Sequence, residues 1–503
     1  MKNRTKKFEI IALAAMLAFS LVFLSCGDSG DPSSPGGGGG DPTSLGGGDP
    51  LPWDGSVDTG WFDDGEPFKI STPEQLAGLA ELVNAGNGFA GKTITQTANF
   101  NLGGKEWTPI GTAVSGNTFN GAYDGNGKTI SGLKISSTGN NQGMFGYIDS
   151  SGKVTGVKLL GVSISGGNMV GAVAGLNLGE VARCSVTGSV TGTGTGAGGI
   201  VGDNNGIVEE CTFDGSVKGG NAVGGVAGAN AGGSSAIRNC SVKGSVEGSG
   251  DNVGGIVGLN YAGMTGCTSS GSVKGAKYVG GVAGANNSTV ANCSFSGSSV
   301  TGTGYYVGGV AGYNDGVNAK VQNCSSKGAV TGSSYTGGVV GYNDQGAVSN
   351  CSASGEVNGA GFVGGVVGYN MTNSTVQNCI FSGASVTARL VNNSVGGLVG
   401  YNSSGCTVQN CVALNTSISG SGIFLGRVAG QSDGTLTNNY GRNPMTVGSG
   451  TVTSGAAGDK NGANVTDATA KTTDFWTTAG NWSGGAWSSS VWTFTEGSYP
   501  VLQ

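Results

Sequence analysis

A short segment, "VGGVVGYN" at residues 363–370, recurs along the chain in near-copies that begin at residues 253, 307 and 395. A period of 26 to 32 residues, with short strand-like segments and no helical periodicity, predicts a β-solenoid in which each copy forms one coil. The first Gly of the segment, or its equivalent, lies at residues 171, 198, 224, 254, 280, 308, 337, 364, 396 and 426.

Asn and Cys recur at constant places within the copies, while the tenth copy has Tyr440 in place of Cys. In stacked coils about 4.8 Å apart, each such residue lies above its equivalent and forms a ladder. We expect the asparagines to accept the left-handed turn conformation and to bond amide to amide. They are Asn177, Asn204, Asn230, Asn260, Asn286, Asn314, Asn343, Asn370 and Asn402, and the cysteines are Cys184, Cys211, Cys240, Cys267, Cys293, Cys324, Cys351, Cys379 and Cys411.

The fold class predicted from this pattern is all-β, a parallel β-helix (β-solenoid) of about ten coils of 26–32 residues. Repeat arrays need atypical terminal units, and both ends of the array differ from its middle. A helix is predicted over residues 71–84, with Thr72 as N-cap, Pro73 at the first position and Gln75 completing a capping box. It is expected to cover the open amino end.

The sequence divides into five regions. Residues 1–25 read as a signal peptide, 26–52 as a flexible Gly/Ser/Asp/Pro tether, and 53–167 as an N-terminal cap with the first coils. The repeat array spans 168–440, and 441–503 form a C-terminal coil and cap. The last region contains Trp476, Trp482, Trp487 and Trp492, either as an aromatic sugar platform or as a plug for the end of the stack.

The amino terminus predicts export. A basic "MKNRTKK" precedes the apolar run "IIALAAMLAFSLVFL", which ends in "FLSC" at Cys26. The ending resembles a bacterial lipobox, which implies that Cys26 is the lipidated first residue of the mature chain. An uncleaved anchor helix and an ordinary signal peptide with an incidental Cys are the alternatives.

At the level of whole segments the chain resembles the GLUG-motif repeat of bacterial surface and secreted proteins. The resemblance rests on "VGGLVGYN", "VGGIVGLN" and their copies, and on the flanks "FNGAYDGNGKTISGLKI" and "VWTFTEGSYPVL". It implies a parallel β-helix at the cell surface with adhesive or binding roles. It brings no catalytic residues with it.

The Cys column favours buried free thiols acting as small apolar residues. Side chains that point the same way about 4.8 Å apart exceed the usual Cβ separation of a disulfide. A disulfide involving Cys406 and Cys411, or one neighbouring pair, is the alternative. No metal site is expected, since the chain has no His and no CxxC pair.

Two aromatic columns are the candidate binding residues, or else rings that simply stabilise neighbouring coils. Four tyrosines stand just before the repeat Asn, and four aromatic residues stand two residues before the repeat Gly. If Asn faces the core, the first set faces outward and forms a flat apolar strip. The columns are Tyr313, Tyr342, Tyr369 and Tyr401, and Tyr278, Tyr306, Tyr335 and Phe362.

The function predicted is a lipid-anchored binding or adhesion module of the bacterial outer membrane or cell surface. Its partners would be a membrane, through the N-terminal lipid, and a glycan, a host or matrix protein, or another cell. A net charge of −6 and the absence of a basic stripe exclude nucleic acid. No cofactor and no enzymatic activity are expected. A polysaccharide-acting β-helix enzyme and a structural spacer are the alternatives.

Overall fold

The computed structural model describes residues 50–390, 393–422 and 424–503. They form a parallel β-solenoid of about 13 turns, which confirms the predicted fold class. The count exceeds the ten repeat copies because strands on both sides of the array continue the same stack. The first strand, Phe68–Ile70, already pairs in parallel with Thr93–Gln96.

Three sheets run along the solenoid, and each coil adds strands to them. One has 14 strands: Phe68–Ile70, Thr93–Gln96, Ala122–Asp124, Lys153–Thr155, Glu180–Ala182, Ile207–Glu209, Ala236–Arg238, Gly263–Thr265, Thr289–Ala291, Lys320–Gln322, Ala347–Ser349, Thr375–Gln377, Thr407–Gln409 and Thr435–Thr437. One has 11 strands: Phe145–Ile148, Ala174–Asn177, Val201–Asn204, Ala227–Asn230, Val257–Asn260, Ala283–Asn286, Ala311–Asp315, Val340–Asp344, Val367–Met371, Val399–Asn402 and Ala429–Ser432.

The third sheet is bent and takes two or three short strands from most coils. Its 31 strands are Phe100–Asn101, Thr129–Ser131, Lys134–Ser136, Lys158–Gly166, Val170–Gly171, Ser185–Gly198, Thr212–Gly224, Ser241–Gly248, Val253–Gly254, Thr268–Ser269, Ser272–Gly275, Val279–Gly280, Ser294–Phe295, Ser299–Gly302, Val307–Gly308, Ser325–Ser326, Ala329–Thr331, Tyr335–Gly337, Ser352–Ala353, Val357–Gly359, Phe362–Gly364, Ile380–Phe381, Ser385–Ala388, Ser394–Gly396, Val412–Ala413, Ser417–Ser419, Phe424–Gly426, Tyr440–Arg442, Met445–Val447, Gly450–Val452 and Ala463–Val465.

The repeated glycines lie where backbones come too close for a side chain. In the coil that begins at Val307, a Cβ on Gly308 would lie 2.0 Å from the carbonyl oxygen of Ala311. A Cβ on Gly309 would lie 2.1 Å from the carbonyl oxygen of Gly338 in the next coil. The segment therefore needs Gly because it turns a tight corner while touching its neighbours.

The repeat asparagines point into the solenoid and form one continuous amide ladder. Asn314 Nδ2 donates to Asn343 Oδ1 at 2.7 Å, and Asn314 Oδ1 accepts from Asn286 Nδ2 at 2.7 Å. All nine are fully buried. The last of them, Asn402, donates to the Ser432 hydroxyl at 3.1 Å. Each buried amide therefore finds its partner in the next coil.

The left-handed conformation expected for these asparagines is found elsewhere, which corrects the prediction. The ladder residues are the last or next-to-last residues of their strands, and none of them has a positive φ angle. The positive φ angles lie instead at the residue before each column Cys, such as Asn292 with φ 53°. Its neighbours in that column also bond to one another, as Asn323 Nδ2 to Asn292 Oδ1 at 3.1 Å. The amide ladder and the left-handed turn therefore belong to two different Asn columns, whereas the sequence pattern assigned both to one column.

The column cysteines directly follow these positive-φ residues and are buried inside the solenoid. All ten described cysteines, including Cys406, are buried and free. The thiol of Cys324 donates to the Gln322 carbonyl at 3.1 Å, two residues back, and the other column thiols repeat this contact. Burial raises the pKa of Cys324, Cys351 and Cys379 well above the ordinary thiol value. These thiols are therefore neutral packing residues.

Helix α1 (Pro73–Asn84) forms as predicted and completes the amino end of the core. The Thr72 hydroxyl accepts from the Gln75 amide at 3.3 Å, while the Gln75 side chain accepts from the Ser71 amide at 2.8 Å. The apolar face of α1, with Leu76 and Leu79, is fully buried. In the described part of the chain, no helix combines the length and apolarity needed to cross a membrane.

The Trp-rich segment packs on the flank of the solenoid and does not plug its end, which corrects that prediction. It contains α2 (Asp467–Ala470), α3 (Thr473–Thr477) and an antiparallel pair, Trp492–Thr493 with Val501–Leu502. The four tryptophans are 1–4% exposed and form a cluster with outward side chains of the last coils. Those side chains are Ile380, Val412, Leu414 and Tyr440. An open aromatic sugar platform is therefore not what they form.

The carboxyl end of the stack is covered by residues 455–465 and by a buried arginine. Arg427 occupies the place of the second repeat Gly and is fully buried. Its guanidinium donates to the Arg442 and Gly462 carbonyls at 3.0 Å each, and to Asn464 Oδ1 at 2.8 Å. The charge is thereby accommodated by hydrogen bonds where the hydrophobic column ends.

Candidate functional site

Nine aromatic side chains form one continuous cluster on the outer surface, which we call the aromatic patch. It spans the five successive coils that begin near residues 280, 308, 337, 364 and 396. Tyr305 is 47% exposed, and the others are half-buried. The members are Tyr278, Tyr305, Tyr306, Tyr313, Tyr335, Tyr342, Phe362, Tyr369 and Tyr401.

One column of the patch is a regular stack. The ring centroids of Tyr278, Tyr306, Tyr335 and Phe362 follow one another at 5.0, 5.1 and 5.5 Å, with planes within 18° of parallel. The parallel register between coils imposes this spacing, because equivalent residues lie directly above one another.

The second column lies beside the first and contacts it edge to face. Tyr342 and Tyr369 stack on each other at 5.2 Å and 10°. Tyr342 meets Tyr306 and Tyr335 at 5.0 and 5.1 Å with planes near perpendicular. Offset stacks and edge-to-face pairs are the favoured aromatic geometries, so the cluster stabilises itself.

The tight Gly corner brings the two columns together. Tyr306 precedes this corner, and Tyr313 follows it on the strand Ala311–Asp315, beside the buried Asn314. Because the chain reverses over the Gly308–Ala311 contact, the two rings end 5.4 Å apart. Tyr306 itself has a φ of 63°, a conformation that a bulky residue adopts only under strong tertiary constraint.

The patch differs from the predicted flat strip. The tyrosines that directly precede the repeat Asn face outward, as expected because the Asn side chains point inward. However, stacked rings cover much of one another's faces, so ring edges and hydroxyl groups reach solvent to a greater extent than open ring faces. The two predicted columns are in fact one surface.

Three carboxylates border the patch, and the sequence analysis did not single them out. Asp315 and Asp344 follow the repeat Asn in adjacent coils and are paired in register. Asp433 accepts a hydrogen bond from the Tyr401 hydroxyl. None of the three belongs to an ion pair among the described residues. The available signal was the repeated "GYND" at 312–315 and 341–344.

These carboxylates make the patch electrostatically negative. Burial, and then the charges of Asp315 and Asp344, raise the pKa of Tyr313 far above that of an ordinary tyrosine. The hydrogen bond to Asp433 raises the pKa of Tyr401 to about 12. Burial and the neighbouring Asp344 raise the pKa of Asp315. Burial is the larger cause of the raised pKa for Tyr313 and Asp315, and the neighbouring carboxylates add to it, whereas for Tyr401 the carboxylate itself is the main cause.

Other parts of the described chain are weaker candidates for a functional site. A cleft of about 540 Å³ beside α1 is lined by Trp53, Ala80, Glu81 and Trp107. Both indole N–H groups already donate to backbone carbonyls. Among the residues that the structure describes, no three His, Cys, Asp or Glu side chains are grouped to hold a metal. The lipidation candidate Cys26 lies outside the described residues.

A comparison of the chain with known protein families agrees with the repeats found in its sequence. Four stretches match the family described as the GLUG motif, at residues 219–247, 303–331, 332–358 and 391–419. All four lie in the array predicted from the sequence, so the resemblance is confirmed.

Among known proteins, halomucin of Haloquadratum walsbyi is 41% identical over 91 residues, which is 18% of this chain and 1% of halomucin. A protein of Evansella cellulosilytica, described as a Gly-rich membrane protein, is 34% identical over 142 residues, or 26% of this chain and 16% of its own. The match therefore spans only a small part of each relative. A crystal structure of a candidate immunoglobulin A1 protease from Bacteroides ovatus aligns over 87% of this chain and 92% of its own. That alignment has 16% identity and a TM-score of 0.25, a level that says nothing about activity.

Proposed function

Because the chain is built on GLUG-motif repeats, we propose that it is a cell-surface protein whose solenoid displays the aromatic patch as a binding face. The observation that supports this is the confinement of nine rings to five coils. In the preceding coils the column of Tyr313 contains Ala229, Leu259 and Ala285. The earlier coils stack without these rings, so the repeat itself does not require them.

The chemistry of the patch suits binding more than catalysis. Tyr is enriched at binding surfaces because it combines a large apolar area with one polar atom and little side-chain entropy. The chain contains no His, the commonest general base. We therefore propose a ligand held by aromatic contacts and hydroxyl hydrogen bonds, such as a glycan or an extracellular protein, with no chemical step.

The proposed location follows from the amino terminus and from the relatives. A lipid on Cys26 and the tether of residues 27–52 would hold the solenoid at some distance from a membrane. One relative is described as a membrane protein.

The test replaces Tyr313, Tyr342, Tyr369 and Tyr401 together with Ser. Each ring contributes about 0.5–1.5 kcal/mol beyond its area, so the set is more informative than any single change. Binding to a glycan array and to extracellular matrix proteins should be lost, while circular dichroism keeps its β signal. The matched control replaces Tyr147, in the same outer column, and the exposed Tyr261. Unchanged binding by the fourfold variant would contradict the proposal.

A further inference from the structure

The aromatic patch contains unneutralised carboxylates, and this narrows the kind of ligand that it can accept. Asp315 and Asp344 stand on adjacent coils in register, about 4.8 Å apart along the stack. They lie on the same outer face as Tyr313 and Tyr342 because residues two apart on a strand point the same way. Two like charges at this distance are unfavourable unless a cation joins them.

The chain supplies no such cation among its described residues. Lys320, the basic residue nearest in sequence to Asp315, forms no ion pair among the described residues. Lys277, next to Tyr278, already pairs with Asp251 at 3.7 Å. The donors beside Asp315 are uncharged: Asn287 Nδ2 at 3.3 Å and the Tyr313 side chain. Asp344 Oδ1 is shielded from solvent and has no hydrogen-bond donor among the described residues. A shielded, charged oxygen without a donor is a costly arrangement that a ligand's donor would relieve.

The rings favour the same kind of ligand. A cation near the electron-rich face or the hydroxyl of a tyrosine is stabilised, and more so when it is partly desolvated. Guanidinium does this better than ammonium because it is planar, stacks on rings and donates to carboxylate oxygens in a fork. The patch spans five coils, about 20 Å, which matches about six residues of extended polypeptide.

Resting on the proposed binding function, we infer that the ligand is an extended polypeptide segment bearing arginine. Its guanidinium groups lie against the exposed ring edges and hydroxyl groups and donate to Asp315 and Asp344. The backbone runs along the solenoid axis. A neutral glycan would donate hydroxyl hydrogen bonds to the two carboxylates but would leave their negative charges uncompensated, and an acidic one would be repelled by them.

The experiment measures binding of octa-arginine and octa-lysine peptides to the full-length protein. We expect octa-arginine to bind more tightly than octa-lysine, and added salt to weaken both. The double variant Asp315→Asn and Asp344→Asn should bind octa-arginine about tenfold more weakly, which corresponds to about 0.7 kcal/mol for each of two partly exposed ion pairs. Circular dichroism checks the fold, and Asp344→Glu, which keeps the charge, should retain most of the affinity.

The matched control is the double variant Glu210→Gln and Asp214→Asn. It changes net charge by the same amount at exposed residues outside the patch that form no ion pair among the described residues. Equal weakening by the control pair would overturn the inference, since the peptide would then be responding only to net charge. Equal binding of the two peptides, unaffected by the patch substitutions, would overturn it as well.

A neutral β-glucan oligosaccharide separates this inference from the proposed function. Suppose that the oligosaccharide binds, that the fourfold tyrosine variant loses this binding, and that the two Asp→Asn changes leave it intact. The patch is then a binding face, but the inference about the ligand is wrong. If the tyrosine variant binds every probe as the unmodified protein does, the proposed function itself fails.

Discussion

At the scale of single residues, the amide ladder joins one coil to the next. Eight hydrogen bonds of 2.7 to 3.0 Å join the nine ladder asparagines, each running from the amide of one Asn to the carbonyl oxygen of the Asn in the next coil. A buried amide is stabilising only when its polar atoms are paired. The ladder therefore couples coils, because removing one member leaves a neighbour unsatisfied.

We predict that Asn314→Ala destabilises the protein by about 2–3 kcal/mol. The substitution leaves Asn343 Oδ1 without the donor it has now at 2.7 Å and opens a small cavity. Denaturant titration followed by circular dichroism measures the change. Asn318→Ala, at an exposed residue of the same coil, is the control and should change stability by less than about 0.5 kcal/mol. Equal effects of the two substitutions would contradict the ladder's role.

The thiols offer a second test at this scale. All ten described cysteines are buried, so a water-soluble thiol reagent should label almost none in the folded protein. After unfolding without reductant, about ten thiols should react. An eleventh would indicate that Cys26 is unmodified, since the sequence contains 11 cysteines. An unfolded chain that yields no thiols would mean that the column is oxidised.

At the scale of elements, the docking site of the Trp-rich segment is marked by a change of residue type. The residue after the column Cys is Ser or Thr in the first seven coils of the array, as at Ser325 and Ser352. In register above them lie Ile380, Val412 and Tyr440. The pairing of Val412 with Tyr440 corrects the sequence-based alignment, because Asn439, and not Tyr440, stands in the place of Cys in the tenth copy. The outer face turns apolar only where the segment covers it. Asn410 adds two hydrogen bonds to the backbone of Ser483, at 2.7 and 2.9 Å.

We predict that Val412→Ser loosens this segment without unfolding the solenoid. Burial of a Val side chain contributes about 1.5–3 kcal/mol, and a hydroxyl would be buried without a designed partner. Tryptophan fluorescence should shift to longer wavelength as the cluster becomes exposed, while the β signal in circular dichroism persists. Ser352→Ala, in the same column two coils earlier, should leave the fluorescence unchanged. Joint loss of both signals would show that the segment and the coils unfold as one unit.

At the scale of the whole molecule, the solenoid is a stack in which each coil contacts mainly its neighbours. Such arrays need protected ends, and here each end is closed differently. Helix α1 covers the amino end, and Arg427 with residues 455–465 covers the other. The aromatic patch lies between them, on the outer surface of the stack.

The proposed anchor gives a prediction at the same scale. Cys26→Ala should abolish labelling of the protein with a radioactive or clickable fatty acid and its partition into a detergent phase. The reason is that the lipid would be attached to the thiol of Cys26 alone, as the lipobox-like ending "FLSC" predicts. Cys406→Ala, at a buried thiol, is the control and should leave labelling intact. A Cys26 variant that still takes up fatty acid would show the anchor to be elsewhere.

The sequence by itself determined the coil and its stacking. Glycines at a 26–32-residue period require close backbone approach, and columns of Asn and Cys require neighbours of the same kind in register. The family resemblance and the capped helix at Pro73–Asn84 followed from equally local signals. These features depend on backbone sterics and on residues close in the chain, so a single sequence is sufficient to predict them.

Only the tertiary structure decided which face is buried, and what the surface therefore displays. Both alternating phases of the repeat strands are apolar, so the pattern alone cannot orient Asn314 inward and Tyr313 outward. The angle of the Gly corner then brings Tyr306 within 5.4 Å of Tyr313 and merges two columns into one patch beside Asp315 and Asp344. The same holds for the tryptophans, whose place on the flank depends on contacts with coils up to about 100 residues earlier in the chain. Such contacts depend on how the coils turn in space, a property that residue order specifies only through the folded backbone.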